Sequence, residues 1–323
     1  MSEFHVEVVR IGPVVKHPNA DTLSITKIHG GYPVIVRTGD YREGDCAVYV
    51  PVDAVVPTSA PPFAFLATAG RTAERIKAKR LRGVFSMGLL VPAPNGSVLG
   101  SDMAEALGVT KYEPPDNLTM GADAEPGPPG PQIPVYDIEG LRKYGHLLAE
   151  GEPVVITEKL HGANARVFHD GTRLWVGSRV QWKRKEGDGL WWPAVEQYAE
   201  ALARHPNMVV YGEVFGQVQD LKYGVTRGAR FAAFDVWKRE DGTWLDSSDA
   251  LRFQADCGMT PVPPLYVGQW SAGLASHAEG RSTLADHVRE GFVVKPEKER
   301  RSDEIGRVIL KLHGEGYLTR KGG

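Results

Sequence analysis

The chain has 323 residues, 42% hydrophobic and 24% charged, an ordinary globular composition that excludes a disordered or fibrous protein and suits about two domains. Lys and Arg number 38 against 40 Asp and Glu, a formal charge of -2, so a nucleic-acid partner must be drawn by a local groove and not by a global field. The two cysteines, Cys46 and Cys257, form no CxxC pair, which argues against a disulfide framework or a Cys-based zinc site and fits a reducing cytoplasm. No apolar run reaches the roughly 20 residues of a membrane helix, and Met1-Ser2-Glu3-Phe4-His5 lacks the apolar region of a signal peptide.

From the N-terminus to about Tyr112 the pattern is one of short strands. Val6-Glu7-Val8-Val9 alternates, and Pro33 to Arg37 and Cys46 to Val52 are β-branched runs bounded by Gly, Asp and Pro. Frequent turns and little helical period predict a small barrel over 1–112. Residues 113–134 are dense in Pro, Gly and Asp with few large apolar side chains, and read as a linker. From 135 to 323 strands alternate with helices. Trp192 to His205 has Val195, Tyr198, Ala199 and Leu202 spaced for one helical face.

The chemistry sits in this second part. Pro153-Val154-Val155-Ile156-Thr157-Glu158-Lys159-Leu160-His161-Gly162-Ala163-Asn164 is an apolar strand that runs straight into a lysine and then a glycine. His169-Asp170-Gly171-Thr172 then makes a hairpin turn into Leu174-Trp175-Val176. Lys159 is therefore expected at the end of a buried strand, beside backbone left open by Gly162. That placement suits a nucleophilic amine, since desolvation and nearby cations lower a lysine pKa and a lysine attacks only when neutral. The competing reading is a surface lysine at a strand end. Further strands carry charge in a fixed order: Ser178-Arg179, Tyr211-Gly212-Glu213, Phe231 to Val236 with Phe234-Asp235, Arg289-Glu290-Gly291-Phe292-Val293-Val294-Lys295, and Leu310-Lys311. Each is weak alone; the ordered set is specific.

That set resembles the covalent nucleotidyltransferase superfamily of ATP-dependent ligases and capping enzymes. Glu158-Lys159-Leu160-His161-Gly162 is similar to the RNA ligase form of the nucleophile motif, and the Deinococcus-type RNA ligases, which carry an N-terminal OB module and seal nicks, are the nearest likeness. The resemblance implies an α+β chain with an OB-like β-barrel, a linker and an ATP-grasp-like adenylylation domain of antiparallel sheets with flanking helices. It implies that Lys159 attacks the α-phosphate of ATP. Glu158 and Leu160 would contact adenine, mainly through backbone. Phe234 would stack on the purine, with Phe231 as a rival. Asn164 would lie near ribose and phosphate, Arg179 would bind phosphate, and Glu213 the ribose hydroxyls. Glu290 would hold Mg²⁺ or Mn²⁺, and Lys311 and Lys295 would neutralise phosphate charge. One departure stands out: His313 occupies the place of the second lysine often found in the last motif, and Lys295 or Arg307 is expected to compensate.

His17-Pro18-Asn19-Ala20-Asp21 and Arg80-Leu81-Arg82-Gly83-Val84-Phe85 resemble OB-type tRNA-binding modules. Arg75, Lys77, Lys79, Arg80 and Arg82, with Arg71, form a basic run that fits a phosphate track or a solvated loop. The expectation is a monomeric cytoplasmic enzyme acting on nicked RNA or RNA/DNA duplexes, independent of membranes. The alternatives are a capping guanylyltransferase, a DNA ligase, or a non-catalytic RNA-binding protein with a degenerate nucleotidyltransferase fold.

Overall fold

The protein is described by a computed structural model covering residues 4–112, 123–186 and 189–320. The chain divides into two compact units, the second formed by Pro115–Tyr317 and the first by the remainder. Among the described residues no helix is long and apolar enough to cross a membrane.

In the first unit, Glu7–Arg10 (β1), Val15–Lys16 (β2), Leu23–Ile28 (β3), Tyr32–Arg37 (β4), Cys46–Val50 (β5), Ala54–Pro57 (β6), Ala73–Arg75 (β7), Lys79–Leu81 (β8), Val84–Ser86 (β9), Leu89–Pro92 (β10) and Thr110–Lys111 (β11) form short ladders. Their orders are β1-β5-β10, β2-β3-β4, β11-β6-β7 and β8-β9. The ladders are antiparallel but do not close into one hydrogen-bonded ring among the described residues, so the expected barrel is an open set of sheets. The central strand β5 is buried on both faces: Val48 and Val50 pack with Val6, Val8 and Phe63, while Ala47 and Tyr49 pack with Val9, Ile28 and Val34. This accounts for its continuous apolar run.

The second unit holds Ala124–Glu125 (β12), Glu139–Gly140 (β13), Leu141–Tyr144 (α1), Pro153–Lys159 (β14), Ala163–His169 (β15), Leu174–Ser178 (β16), Trp182–Lys183 (β17), Trp191–Val195 (α2), Ala199–Ala203 (α3), Met208–Gly216 (β18), Ala229–Lys238 (β19), Thr243–Trp244 (β20), Ser247–Asp256 (α4), Pro264–Gln269 (β21), Gly291–Pro296 (β22), Arg301–Ser302 (β23), Gly306–Arg307 (β24) and Leu310–His313 (β25). They build a seven-stranded sheet, β12-β17-β16-β15-β18-β19-β20, and a five-stranded sheet, β13-β25-β22-β14-β21. All pairs in these two sheets are antiparallel except β13 with β25. The helix expected over 192–205 is α2 and α3 joined by one 3-10 turn, and its Val195, Tyr198 and Leu202 do face the core of the larger sheet.

The expected linker differs from the structure where it is described. Residues 113–122 lie outside the described residues. From Asp123 onward the segment packs on the second unit: β12 pairs with β17, the Asp123 carboxylate accepts from Lys183 at 3.0 Å in a buried pair, and Ile133 and Tyr136 enter an apolar cluster with Phe168, Tyr211 and Trp237. A backbone ladder and the ion pairs of Asp123 with Lys183 and Glu125 with Arg173 anchor a stretch too poor in apolar residues to announce itself by composition.

Candidate active site

The site begins where the chain crosses from one sheet to the other. β14 ends at Lys159 in the five-stranded sheet, and after three intervening residues β15 begins at Ala163 in the seven-stranded sheet. Gly162 sits in that crossing because nothing larger fits. A Cβ there would lie 2.2 Å from the Val214 carbonyl oxygen of β18, inside any distance that real side chains adopt. Its N–H donates to the Glu213 carboxylate.

Alternation along the strands then sorts the side chains. Ile156, Phe292, Val294, Leu310 and Leu312 point into the apolar core of the smaller sheet. On the opposite face, Gly291 lies between Lys159 and His313, and Val293 between Thr157 and Lys311. Strand period two therefore puts Lys159, Lys311 and His313 on one surface. At Gly291 a Cβ would fall 2.0 Å from the Leu312 carbonyl oxygen, so the row stays open between lysine and histidine.

Glu290 is the hub of this face. Lys159 Nζ donates to its Oε1 at 2.7 Å, His313 Nε2 lies 3.5 Å from the same oxygen, and His161 Nδ1 lies 3.9 Å from Oε2. That Oε2 is buried and has no hydrogen-bond partner among the described residues. Burial pushes the Glu290 pKa up, but Lys159, His313 and His161 outweigh it and hold the carboxyl at about 2. Glu213 has the opposite balance: burial dominates and raises it to about 8 despite the attraction of Lys159. For Lys311, burial together with Lys159 and Arg179 lowers the pKa to about 8.

The expectation that desolvation and nearby cations lower the Lys159 pKa is corrected by these neighbours. Burial does disfavour its charge, but Glu290 and Glu213 prevail, and its pKa lies above the ordinary lysine value. The amine rests as an ammonium. His161 and His313 are displaced the other way, downward, chiefly by burial.

Asn164 stands opposite Glu213 across β15 and β18, with its Oδ1 buried and without a hydrogen-bond partner among the described residues. The two phenylalanines separate cleanly. Phe231 is core, packed with Tyr198 and against Gly212. Phe234 is half-buried and turned to the other face, where it edges the clusters of Leu160 and of Tyr136.

Residues 152–313, just over half of the chain, match the RNA ligase family model. The chain belongs to the RNA ligase family. It is thus an enzyme that joins RNA ends. Residues 5–93 match an OB-fold domain model, and no curated protein sequence gives a significant match. Among solved structures, the chain is similar to an RNA ligase from Naegleria gruberi. A glutamate-to-alanine variant with ATP and Mn superposes with a TM-score of 0.82 at 22% identity, over 98% of each chain. A lysine-to-alanine variant with ATP and Mn gives 0.81 at 21% identity over 97% of each chain. The same ligase with PPi gives 0.80 at 22% identity over 98% of each.

Several residues of this RNA ligase stand elsewhere than the sequence leads one to expect. Lys295 is buried and its amine donates to Asp235, with Glu299 3.7 Å away. Arg307 donates to Asp235 at 2.9 Å and also to Glu299. Both cations are thus engaged by carboxylates of their own network. The Glu158 side chain lies on the core face, accepting from the N–H and hydroxyl of Thr283 at 2.8 and 2.6 Å; its own N–H donates to the Pro263 carbonyl. Leu160 is buried with Phe215, Tyr223 and Val262. Arg179, in the bend after β16, is ion-paired to Asp137 and near enough to Lys311 to act on its charge.

In the first unit, Arg75 is also committed: its guanidinium donates to Asp53 at 2.7 Å and lies over the Tyr112 ring at 3.8 Å. Lys77, Lys79, Arg80 and Arg82 are exposed. The last three ride on the β8–β9 hairpin, whose turn residues Arg82 and Gly83 both have positive φ, the geometry of a tight two-residue hairpin. Buried His17 braces it, with Nε2 3.1 Å from the Leu81 carbonyl, and Asn19 donates to the Arg82 carbonyl at 2.9 Å.

Sequence reasoning missed Tyr317 and Asp220. His161 Nε2 is 2.6 Å from Asp220 and its Nδ1 is 3.0 Å from the Tyr317 hydroxyl. Tyr317 also stacks on His313 at 6.1 Å. The only signal would have been the aromatic four residues after that histidine.

Proposed function

We propose that this RNA ligase is ATP-dependent and works through a nucleotide carried on Lys159. The observation that supports this most is the convergence of Lys159, Glu213, Glu290 and Lys311 on the open face where the two sheets meet. Phosphoryl and nucleotidyl transfer needs alignment and charge neutralisation more than proton chemistry, and that is what this set supplies. The likeness to a ligase solved with ATP and Mn points the same way.

In the first step the Lys159 nitrogen, having lost a proton, forms a bond to the α-phosphorus, and the bond to the bridging oxygen breaks to release pyrophosphate. Lys311 and Arg179 offset charge on the phosphates. Glu213 accepts from the ribose hydroxyls, with Asn164 beside it. Phe234 offers a flat π-face to the purine, and the backbone at Leu160 lies at its edge. In the second step a 5′-phosphate oxygen takes AMP from Lys159. In the third a 3′-hydroxyl attacks that 5′-phosphorus and AMP leaves.

Among the described residues no cluster of three or more His, Cys, Asp or Glu is arranged to hold a metal ion alone. The unpartnered Glu290 Oε2 fits a hard cation that keeps its waters and takes phosphate oxygens for its other ligands. Such an ion, Mg²⁺ or Mn²⁺, supplies charge neutralisation on the triphosphate.

The preferred substrate is a nick in an RNA or RNA/DNA duplex, sealed by a monomer, with the β8–β9 hairpin contacting phosphates. The test is incubation with ATP or GTP labelled at the α-phosphate, followed by sealing of nicks with RNA or DNA at each terminus. Protein labelling by ATP and joining of RNA 3′-hydroxyl nicks support the proposal. Labelling by GTP alone supports capping, and no labelling supports a binding protein.

A further inference from the structure

β19 carries one residue more than its partner β18. Gly212 faces Ala233 and Tyr211 faces Asp235, so Phe234 is the extra residue of a bulge. Bulges re-aim side chains, and here Phe234 and Asp235 meet the same neighbour. The Tyr136 ring packs on Phe234 with centroids 4.6 Å apart, and the Tyr136 hydroxyl donates to Asp235.

Asp235 is 1% exposed, and a buried carboxylate survives only if its charge is met and its lone pairs are bonded. Lys295 and Arg307 both donate to it, and Glu299 balances the second cation. Burial alone would raise the Asp235 pKa, but Arg307 and Lys295 hold it below the ordinary value. The network also spans the two sheets. Asp235 lies on β19 of the larger one, and Lys295 lies on β22 of the smaller one, next to the strand that ends in Lys159.

We propose that Tyr136 and Asp235 are positioning residues: by tying the bulge to β22 they fix where the Phe234 ring stands relative to Lys159, and so govern binding of the nucleobase and not of the phosphates. This rests on Phe234 being the ring that faces the purine. Tyr136 lies outside the stretch that matches the family model, just after the segment whose composition reads as linker.

The test uses the full chain and two inhibitors of lysyl-AMP formation: adenosine, which reports the base subsite, and inorganic pyrophosphate, which reports the phosphate subsite. Tyr136→Phe removes one hydrogen bond to a charged group and keeps the ring. It should raise KM for ATP about threefold to tenfold, leave kcat within about twofold, and weaken adenosine but not pyrophosphate. In a Phe234→Ala background the same change should add nothing, because both act through one ring. Lys295→Arg, which keeps the charge on Asp235, should follow the same pattern with a smaller shift. If Phe234→Ala itself leaves adenosine inhibition unchanged, the ring does not face the base and the reading of Phe234 fails. If Phe234→Ala weakens adenosine but Tyr136→Phe weakens both inhibitors equally, or adds fully to Phe234→Ala, the network only holds the fold and the positioning proposal is overturned.

Discussion

Lys159 Nζ and Glu290 Oε1 are 131 positions apart in the chain and 2.7 Å apart in the folded protein. The pair holds the nucleophile protonated at rest: burial disfavours the ammonium, but Glu290, joined by Glu213 once that group ionises, raises the Lys159 pKa above its ordinary value. Below a raised pKa the neutral fraction of an amine grows about tenfold per pH unit. Single-turnover lysyl-AMP formation at saturating ATP is therefore expected to climb from neutral pH into the alkaline range. A rate already flat at pH 7 would mean that the amine is neutral there and that the carboxylates do not control it.

Lys311 works in the other direction. Burial first, then Lys159 and Arg179, lower its pKa to about 8, so its charge is present at neutral pH and lost above that value in the free enzyme. KM for ATP should rise above pH 8 while kcat continues upward. Lys311→Arg, whose charge persists, should flatten the KM profile. An unchanged profile in that variant would remove Lys311 from the phosphate subsite.

The placement of Lys159, Glu213 and Lys311 is legible in the sequence because each is a charge at a fixed point of an apolar strand, and strand period fixes the face; Glu290 comes just before β22 with the parity of the core residues Phe292 and Val294, so strand period does not place it. The fate of Lys295 is not legible either. Its strand position follows from the apolar run before it, but its partner Asp235 lies on a different sheet, and sequence spacing carries no information about which buried carboxylate a lysine meets. The rings illustrate the same limit. Phe231 and Phe234 are separable by parity, yet the bulge that places Phe234 and Asp235 together against Tyr136 leaves no compositional mark. Tyr136 itself follows a Pro- and Gly-rich stretch, where composition suggests solvent and ladder hydrogen bonds prove otherwise.

Glu213 illustrates how this site sacrifices stability for function. Its folded pKa of about 8 lies above the ordinary 4.5, so the folded state holds a proton that the unfolded chain has released, and stability falls as pH rises through that window. Glu213→Gln has no charge to desolvate. Its melting temperature should match the parent near pH 4 and exceed it at pH 8, while ATP binding weakens. A variant less stable than the parent at pH 8 would show that the carboxylate is well paired and not merely buried.

The exposed cations of the β8–β9 hairpin give a test confined to the first unit. Replacing Lys79, Arg80 and Arg82 together by alanine should leave lysyl-AMP formation unchanged and weaken binding of nicked duplex. The slope of log affinity against log salt should fall by about 0.9 for each phosphate that the variant no longer neutralises. An unchanged slope would assign the run to a solvated surface.

The most direct measurement is peptide mapping by mass spectrometry after incubation with ATP and Mg²⁺. The expected result is one AMP on the peptide containing Lys159, absent from Lys159→Ala. AMP on a different residue, or undiminished label in Lys159→Ala, would contradict the assignment of the nucleophile.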